Sequence, residues 1–214
     1  MQRSSRTPSS PTAPIDFEEV FAALPLLHPT PRSWAELAAS RLPEFLADHA
    51  VCEQQVAVYA LSLTGYYPDD AELVERAAEL AAEEVQHFRR VVAILQKRGW
   101  PLGGRRKNPW AQSLKAQIVV GREPWTKVDR LLFGAMVEAR SCERFTRLLE
   151  VVEDPEVERL LADLGPAERR HWELFYRLAG REIEADALAV RFQRWRELEA
   201  RLMRGLGISP AVHG

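Results

Sequence analysis

The sequence predicts an all-α fold: a four-helix bundle with a long crossover between its second and third helices and an additional helix at the C-terminal end. Three observations carry this. Apolar residues recur three and four apart through four long segments, the period of a helix that buries one face. No apolar/polar alternation of useful length marks a strand. Glu-x-x-His occurs twice, at Glu84–His87 and Glu168–His171, each time inside a long helical segment. Residues three apart share a helix face, so each pair can offer a carboxylate and an imidazole to one metal ion.

A chain of 214 residues with 46% hydrophobic content suffices for one domain with a substantial core. Residues 1–30 read as a flexible Ser/Pro-rich tail, 31–204 as the helical domain and 205–214 as a loose end. The formal charge of -2 exerts no global pull on nucleic acid or membrane, so such a partner would need a local basic patch. Two cysteines make neither a disulfide framework nor a Cys-rich zinc site. Nothing reads as a secretory signal or a membrane-spanning run, which sets the expectation of a cytoplasmic protein without a membrane partner.

Within the domain, Ser33-Trp34-Ala35-Glu36 has the capping-box pattern and predicts a short helix starting at Ser33. The first long helix runs from Pro43 to about Gly65, with Phe45, His49, Cys52, Val56, Ala60 and Leu63 inward and Glu53 at the edge. Tyr66 to Asp70 turns the chain, and the second helix, Asp70 to Arg98, places Leu73, Ala77, Leu80, Glu84, His87, Val91 and Leu95 on one stripe before Gly99 ends it. Residues 99–125, rich in Gly and Pro, form the crossover, with one short helix from Trp110 to Val119. The third helix, Thr126 to Val152, aligns Leu131, Ala135, Glu138, Cys142, Phe145 and Leu149. The fourth, Pro155 to Ala179, aligns Val157, Leu161, Leu164, Glu168, His171, Phe175 and Leu178, with a kink or bulge expected at Gly165-Pro166. The additional helix, Ile183 to Arg204, should pack on the outside through Leu188, Phe192, Trp195, Leu198 and Leu202.

The two hairpins so defined repeat one arrangement. In an antiparallel pair, residues equally far from the turn lie at equal height, because each residue rises about 1.5 Å. Glu53 lies fifteen residues before Pro68 and Glu84 sixteen after; Glu138 lies sixteen before Asp154 and Glu168 fourteen after. Glu143 competes with Glu138, since Cys142-Glu143 mimics Cys52-Glu53, but it is only eleven residues from the turn and lies off the apolar stripe. The candidate metal ligands are therefore Glu53, Glu84, His87, Glu138, Glu168 and His171. Four carboxylates on apolar stripes that carry no Lys or Arg are costly to bury without a cation. Two divalent ions supply the charge, and a mixed carboxylate and imidazole set suits iron or manganese better than a soft-metal site does. His49, Cys52 and Cys142 are expected beside the metals, as satisfied core residues or as support for the ligands. Arg105-Arg106-Lys107 in the crossover is the candidate phosphate-binding run.

The strings Asp48-His49-Ala50-Val51-Cys52-Glu53, Glu83-Glu84-Val85-Gln86-His87-Phe88, Lys97-Arg98-Gly99 and above all Glu138-Ala139-Arg140-Ser141-Cys142-Glu143-Arg144-Phe145 resemble the tRNA 2-methylthio-N6-isopentenyladenosine hydroxylase family, within the ferritin-like di-iron superfamily. The resemblance spans about residues 35 to 204. It implies a non-haem di-iron monooxygenase that uses dioxygen to hydroxylate the isopentenyl group of a modified adenosine in tRNA. It also implies electrons from an external donor such as a ferredoxin or reductase, since the chain has no flavin or nicotinamide motif, and a monomer or small homo-oligomer. The family's usual context around the last histidine differs here, where Pro166-Ala167-Glu168-Arg169-Arg170-His171-Trp172 stands. The alternative from another class is a ferritin-like iron-binding or ferroxidase protein without an organic substrate.

Overall fold

The computed structural model describes residues 16–104 and 108–213. Eight α-helices and no strand occur among them: α1 (Phe17–Ala23), α2 (Arg32–Ser40), α3 (Leu42–Tyr66), α4 (Ala71–Lys97), α5 (Pro109–Lys115), α6 (Trp125–Leu149), α7 (Pro155–Ala179) and α8 (Ala185–Gly205). The hairpins α3/α4 and α6/α7 form the four-helix bundle, α5 lies in the crossover, and α8 packs on α5 and α6.

Side chains fix the hairpin ends. Asp70 caps α4 by accepting from the Leu73 amide, and Asp154 caps α7 by accepting from the amides of Glu156 and Val157, with Pro155 at the first helical position. Gly99 follows α4 with φ 67°, a left-handed conformation that glycine adopts without Cβ strain. Arg98 then donates to both oxygens of Asp154, tying the end of one hairpin to the turn of the other. The helix α7 stays continuous through Pro166. Pro166 is exposed, so the carbonyl deprived of its amide partner lies toward solvent, where water can satisfy it.

Two hydrophobic cores divide the bundle along its length. One gathers Leu63 of α3, Leu73 and Leu80 of α4, Leu131 and Met136 of α6 and Phe175 of α7, and α8 adds Leu188 and Trp195. The other gathers Phe45 and Ala50 of α3, Val91 and Leu95 of α4, Phe145 of α6 and Leu161 and Leu164 of α7, covered by Trp34 of α2. The six candidate ligands lie between the two sets on their helices, so the polar residues sit at mid-height in the bundle. At Gly134 a Cβ would stand 2.8 Å from the Phe175 ring, so glycine there sets the close approach of α6 to α7.

Three expectations need correction. The helix α6 is not amphipathic with one inward stripe: every residue from 131 to 146 is buried, because α1, α2, α5, α7 and α8 all pack on it. The short helix α2 begins at Arg32 after Pro31, and Ser33 does not cap it. Nor are the ends of the domain loose. Residues 1–15 lie outside the described residues, but Asp16 caps α1 and Thr30 is buried, while Val212 and His213 at the other end are also buried.

The string Arg140 to Arg144 explains how both ends are held. Arg140 donates to Glu199 of α8, to Glu143, to Thr30 Oγ1 and to the His28 carbonyl. Glu143 accepts from the Thr30 amide and hydroxyl, each at 2.6 Å. Arg144 donates to the carbonyls of Ala211 and Val212, and Asp48 of α3 accepts from the Val212 amide at 2.8 Å. A fully buried arginine is tolerated where its donors are so matched.

Candidate metal centre

The structure brings all six candidate ligands together at mid-bundle, every one buried. They form two overlapping groups whose donor atoms lie within 4.8 Å of one another: Glu53, Glu84, His87 and Glu168, and Glu84, Glu138, Glu168 and His171. Glu84 and Glu168 belong to both groups, so each hairpin contributes one shared glutamate from its Glu-x-x-His helix. Glu53 with His87 and Glu138 with His171 complete the two ends.

Both imidazoles turn Nδ1 inward. His87 Nδ1 lies 3.5 Å from Glu53, 3.4 Å from Glu84 and 3.7 Å from Glu168, and His171 Nδ1 lies 2.7 Å from Glu84 and 3.8 Å from Glu138. Neither Nδ1 has a hydrogen-bond partner of acceptable geometry, nor does either oxygen of Glu84 or Glu138, nor one oxygen of Glu168. Buried polar atoms are rarely left so, and this many, all facing each other, fit donors directed at a pair of cations. The titration of the protein groups alone says the same. Burial, then the neighbouring carboxylates, pushes the Glu53 and Glu168 carboxyls far above their ordinary range. For His171 burial opposes protonation, yet Glu138, Glu83 and Glu84 raise it to about 11. Charge of positive sign is what the cluster draws in.

The outward nitrogens meet a residue that the sequence reading passed over. Glu83 Oε2 lies 3.2 Å from His171 Nε2, and its other oxygen lies 3.9 Å from His87 Nε2 and accepts from Arg170. A carboxylate accepting Nε2–H fixes the tautomer that leaves Nδ1 free to ligate. Its signal was available: Glu83 stands four residues before His87 on the same helix face.

His49 Nε2 is hydrogen-bonded to Glu53 Oε1, and the ring packs 4.5 Å from the Phe145 ring. Burial, and then His87, lowers its pKa to about 3, so it is a neutral imidazole whose contact orients Glu53. Cys52 and Cys142 are buried free thiols. Burial raises both, Cys142 to about 12, and Cys142 Sγ sits 3.3 Å from the Gly165 carbonyl. Glu143 faces Thr30 and Arg140, on a different side of α6 from Glu138. Arg105, Arg106 and Lys107 lie outside the described residues.

The model of the family described as tRNA-(MS[2]IO[6]A)-hydroxylase (MiaE) matches residues 19–214. A tRNA 2-(methylsulfanyl)-N(6)-isopentenyladenosine(37) hydroxylase of Pseudomonas putida is 37% identical, over 80% of this chain and 83% of that protein. The chain belongs to this family. The enzyme of the same name from Salmonella typhimurium is 28% identical, with 84% of each chain covered. A solved structure, Protein 43 with aldehyde deformylating oxygenase activity from Synechococcus, superposes with a TM-score of 0.84 at 32% identity, over 88% of this chain and 95% of that one. The fold is ferritin-like, as the sequence predicted. The family match extends beyond the resemblance read from the sequence and takes in both docked ends, from within α1 to His213. Among the described residues no helix is long and apolar enough to cross a membrane.

Proposed function

We propose that this chain is a di-iron monooxygenase that hydroxylates the isopentenyl group of 2-methylthio-N6-isopentenyladenosine in tRNA, using dioxygen and electrons from an external donor protein. The observation that carries the proposal is the pair of overlapping donor groups sharing Glu84 and Glu168, in a chain of this family. Glu53, Glu84, His87, Glu138, Glu168 and His171 would hold the irons, which supply the dioxygen activation that no side chain can perform on an unactivated C–H bond. The protein's share is charge matching, orientation and dryness. Four carboxylates offset the charge of two divalent ions. Glu83 and His49 hold the ligands His171 and Glu53 in their ligating orientations. The hydrophobic cores on either side keep bulk water from the reacting atoms.

The test is nucleoside analysis of tRNA from a strain lacking this protein. Loss of the hydroxylated nucleoside, accumulation of its unhydroxylated precursor, and rescue by the wild type but not by Glu138→Ala is the expected outcome. Unchanged tRNA, with purified protein loading iron well beyond a pair of ions per chain, would refute the proposal and favour iron handling.

A further inference from the structure

Resting on that function, we propose that the cleft between α3 and α5 is the entrance for the alkylated adenosine. Its isopentenyl branch occupies a small inner pocket that ends on Glu138, and its base occupies the wider cleft outside. Two cavities join here and share Gln55, Tyr59, Asn108, Ala111 and Phe133. The inner one, of 60 Å³, is lined by Val56, Val137 and Cys52, reaches Glu138, and is walled by His213. The outer one, of 720 Å³, opens between Gln54, Gln112, Ser62 and Lys115.

Size and chemistry fit the two halves of such a ligand. A water-sized group needs about 10–15 Å³ on this measure, so the inner pocket holds roughly four to six such groups, enough for a branch of five carbons. Its walls are mostly apolar, and the acid among them is the candidate ligand Glu138. The outer cleft has no acidic residue, although the chain has 31, and it offers four side-chain amides and one lysine. Amides pair with the edges of an unstacked base, and a lysine suits a flanking phosphate. Other grooves lack one feature or the other. The groove at the α3/α4 turn is lined by Asp69, Asp70, Glu72 and Glu182, and that between Arg122 and α8 touches none of the six cluster residues.

His213 forms part of the inner pocket's wall. It stacks on Trp110 of α5 with centroids 4.8 Å apart at 11°, and its ring nitrogens face Cys52 at 3.6 Å and Ser141 at 3.1 Å. The segment carrying His213 therefore closes one side of the pocket, and its neighbour Val212 is held by Arg144 and Asp48.

The test compares binding of the iron-loaded protein to a tRNA anticodon stem-loop with and without the isopentenyl group. Three variants are compared with the wild type: Ala111→Phe, which fills the junction of the two cavities; Gln55→Trp, which narrows it from an exposed position; and Val190→Phe, which fills the groove beside Arg122. The wild type should prefer the prenylated stem-loop at least tenfold. Ala111→Phe and Gln55→Trp should erase that preference with iron content and helicity unchanged, while Val190→Phe keeps it. If the wild type shows no preference, the substrate reading falls and this inference with it. If the wild type shows the preference and both cleft variants retain it, or Val190→Phe abolishes it, the substrate reading stands and the cleft is overturned.

Discussion

Replacing Arg140 by Met should destabilise the protein by about 3–5 kcal/mol, the cost of breaking a buried ion pair by removing one partner. Arg140 and Glu199 are both fully buried, and Glu199 Oε1 takes two bonds from Arg140 at 2.9 and 2.8 Å while Oε2 has no partner. Burial already pushes the Glu199 carboxyl above its ordinary range, so without Arg140 it is a desolvated acid that has lost the guanidinium bonded to it. Glu143 is cushioned, because Thr30 still donates to both of its oxygens. The cost therefore belongs mainly to the Arg140–Glu199 pair. Against a total stability of roughly 5–15 kcal/mol it is large, and in a chain of this size it lowers Tm on the order of 10 °C. Denaturant unfolding of metal-free protein measures it. Adding Glu199→Leu should recover most of the loss, since an apolar pair of similar volume removes the stranded charge. A single-variant cost below about 1 kcal/mol, or a double variant as unstable as the sum of the singles, would refute the assignment.

Glu83→Gln should weaken iron binding about 10–100-fold, the usual effect of losing a carboxylate that orients a ligating histidine, with helix content unchanged; competition with a chelator measures it. Asp154 is held at about 2, first by the Arg98 guanidinium, so its folded pKa is depressed and its contribution to stability is present above pH 4 and lost as pH falls toward 2. Asp154→Asn should be less stable at neutral pH and should flatten the acid side of the stability profile between those values. Gly134→Ala should cost about 1–3 kcal/mol, because the new methyl meets the Phe175 ring at 2.8 Å; a thermal melt matching the wild type would show that α6 and α7 can separate freely there.

The four long helices were legible because each hairpin carries helical periodicity and strong end signals. Asp70 and Asp154 as caps, Pro155 at the first position and Gly99 at the end all act in the structure as their chemistry suggests. The convergence of the six residues was legible through height above the turns, which is also what separated Glu138 from Glu143. The ends of the domain were misread for a physical reason. Val212 and His213 are buried by single directional bonds to Arg144, Asp48 and Ser141, and such contacts leave no periodicity in a sequence. The helix α1 did leave a signal, an Asp16 cap followed by Glu18 and Glu19 in the first turn, that composition of the preceding tail obscured. Periodicity also misled at α6, because a stripe of apolar residues shows which positions face one neighbour and says nothing of how many neighbours there are.

That last point gives the string Arg140 to Arg144 a physical meaning. A helix that is buried all round has no face for the hydrophobic effect to choose, since apolar burial is non-directional, so burial alone leaves its rotation about its own axis poorly set. Directional bonds set it instead: Arg140 toward Glu199, Glu143 toward Thr30 and Arg144 toward the carbonyls of Ala211 and Val212 hold one face of α6 at three points. Glu138 is half a turn away from Arg140 and inherits its direction from them. Stability and site geometry should then come apart in Arg140→Met/Glu199→Leu. The double variant should unfold near the wild-type midpoint and yet bind iron more weakly, because the apolar pair fills the space without fixing the rotation. Equal iron affinity in wild type and double variant would show that packing alone aims Glu138, and that the string Arg140 to Arg144 serves only to tie down the two ends of the chain.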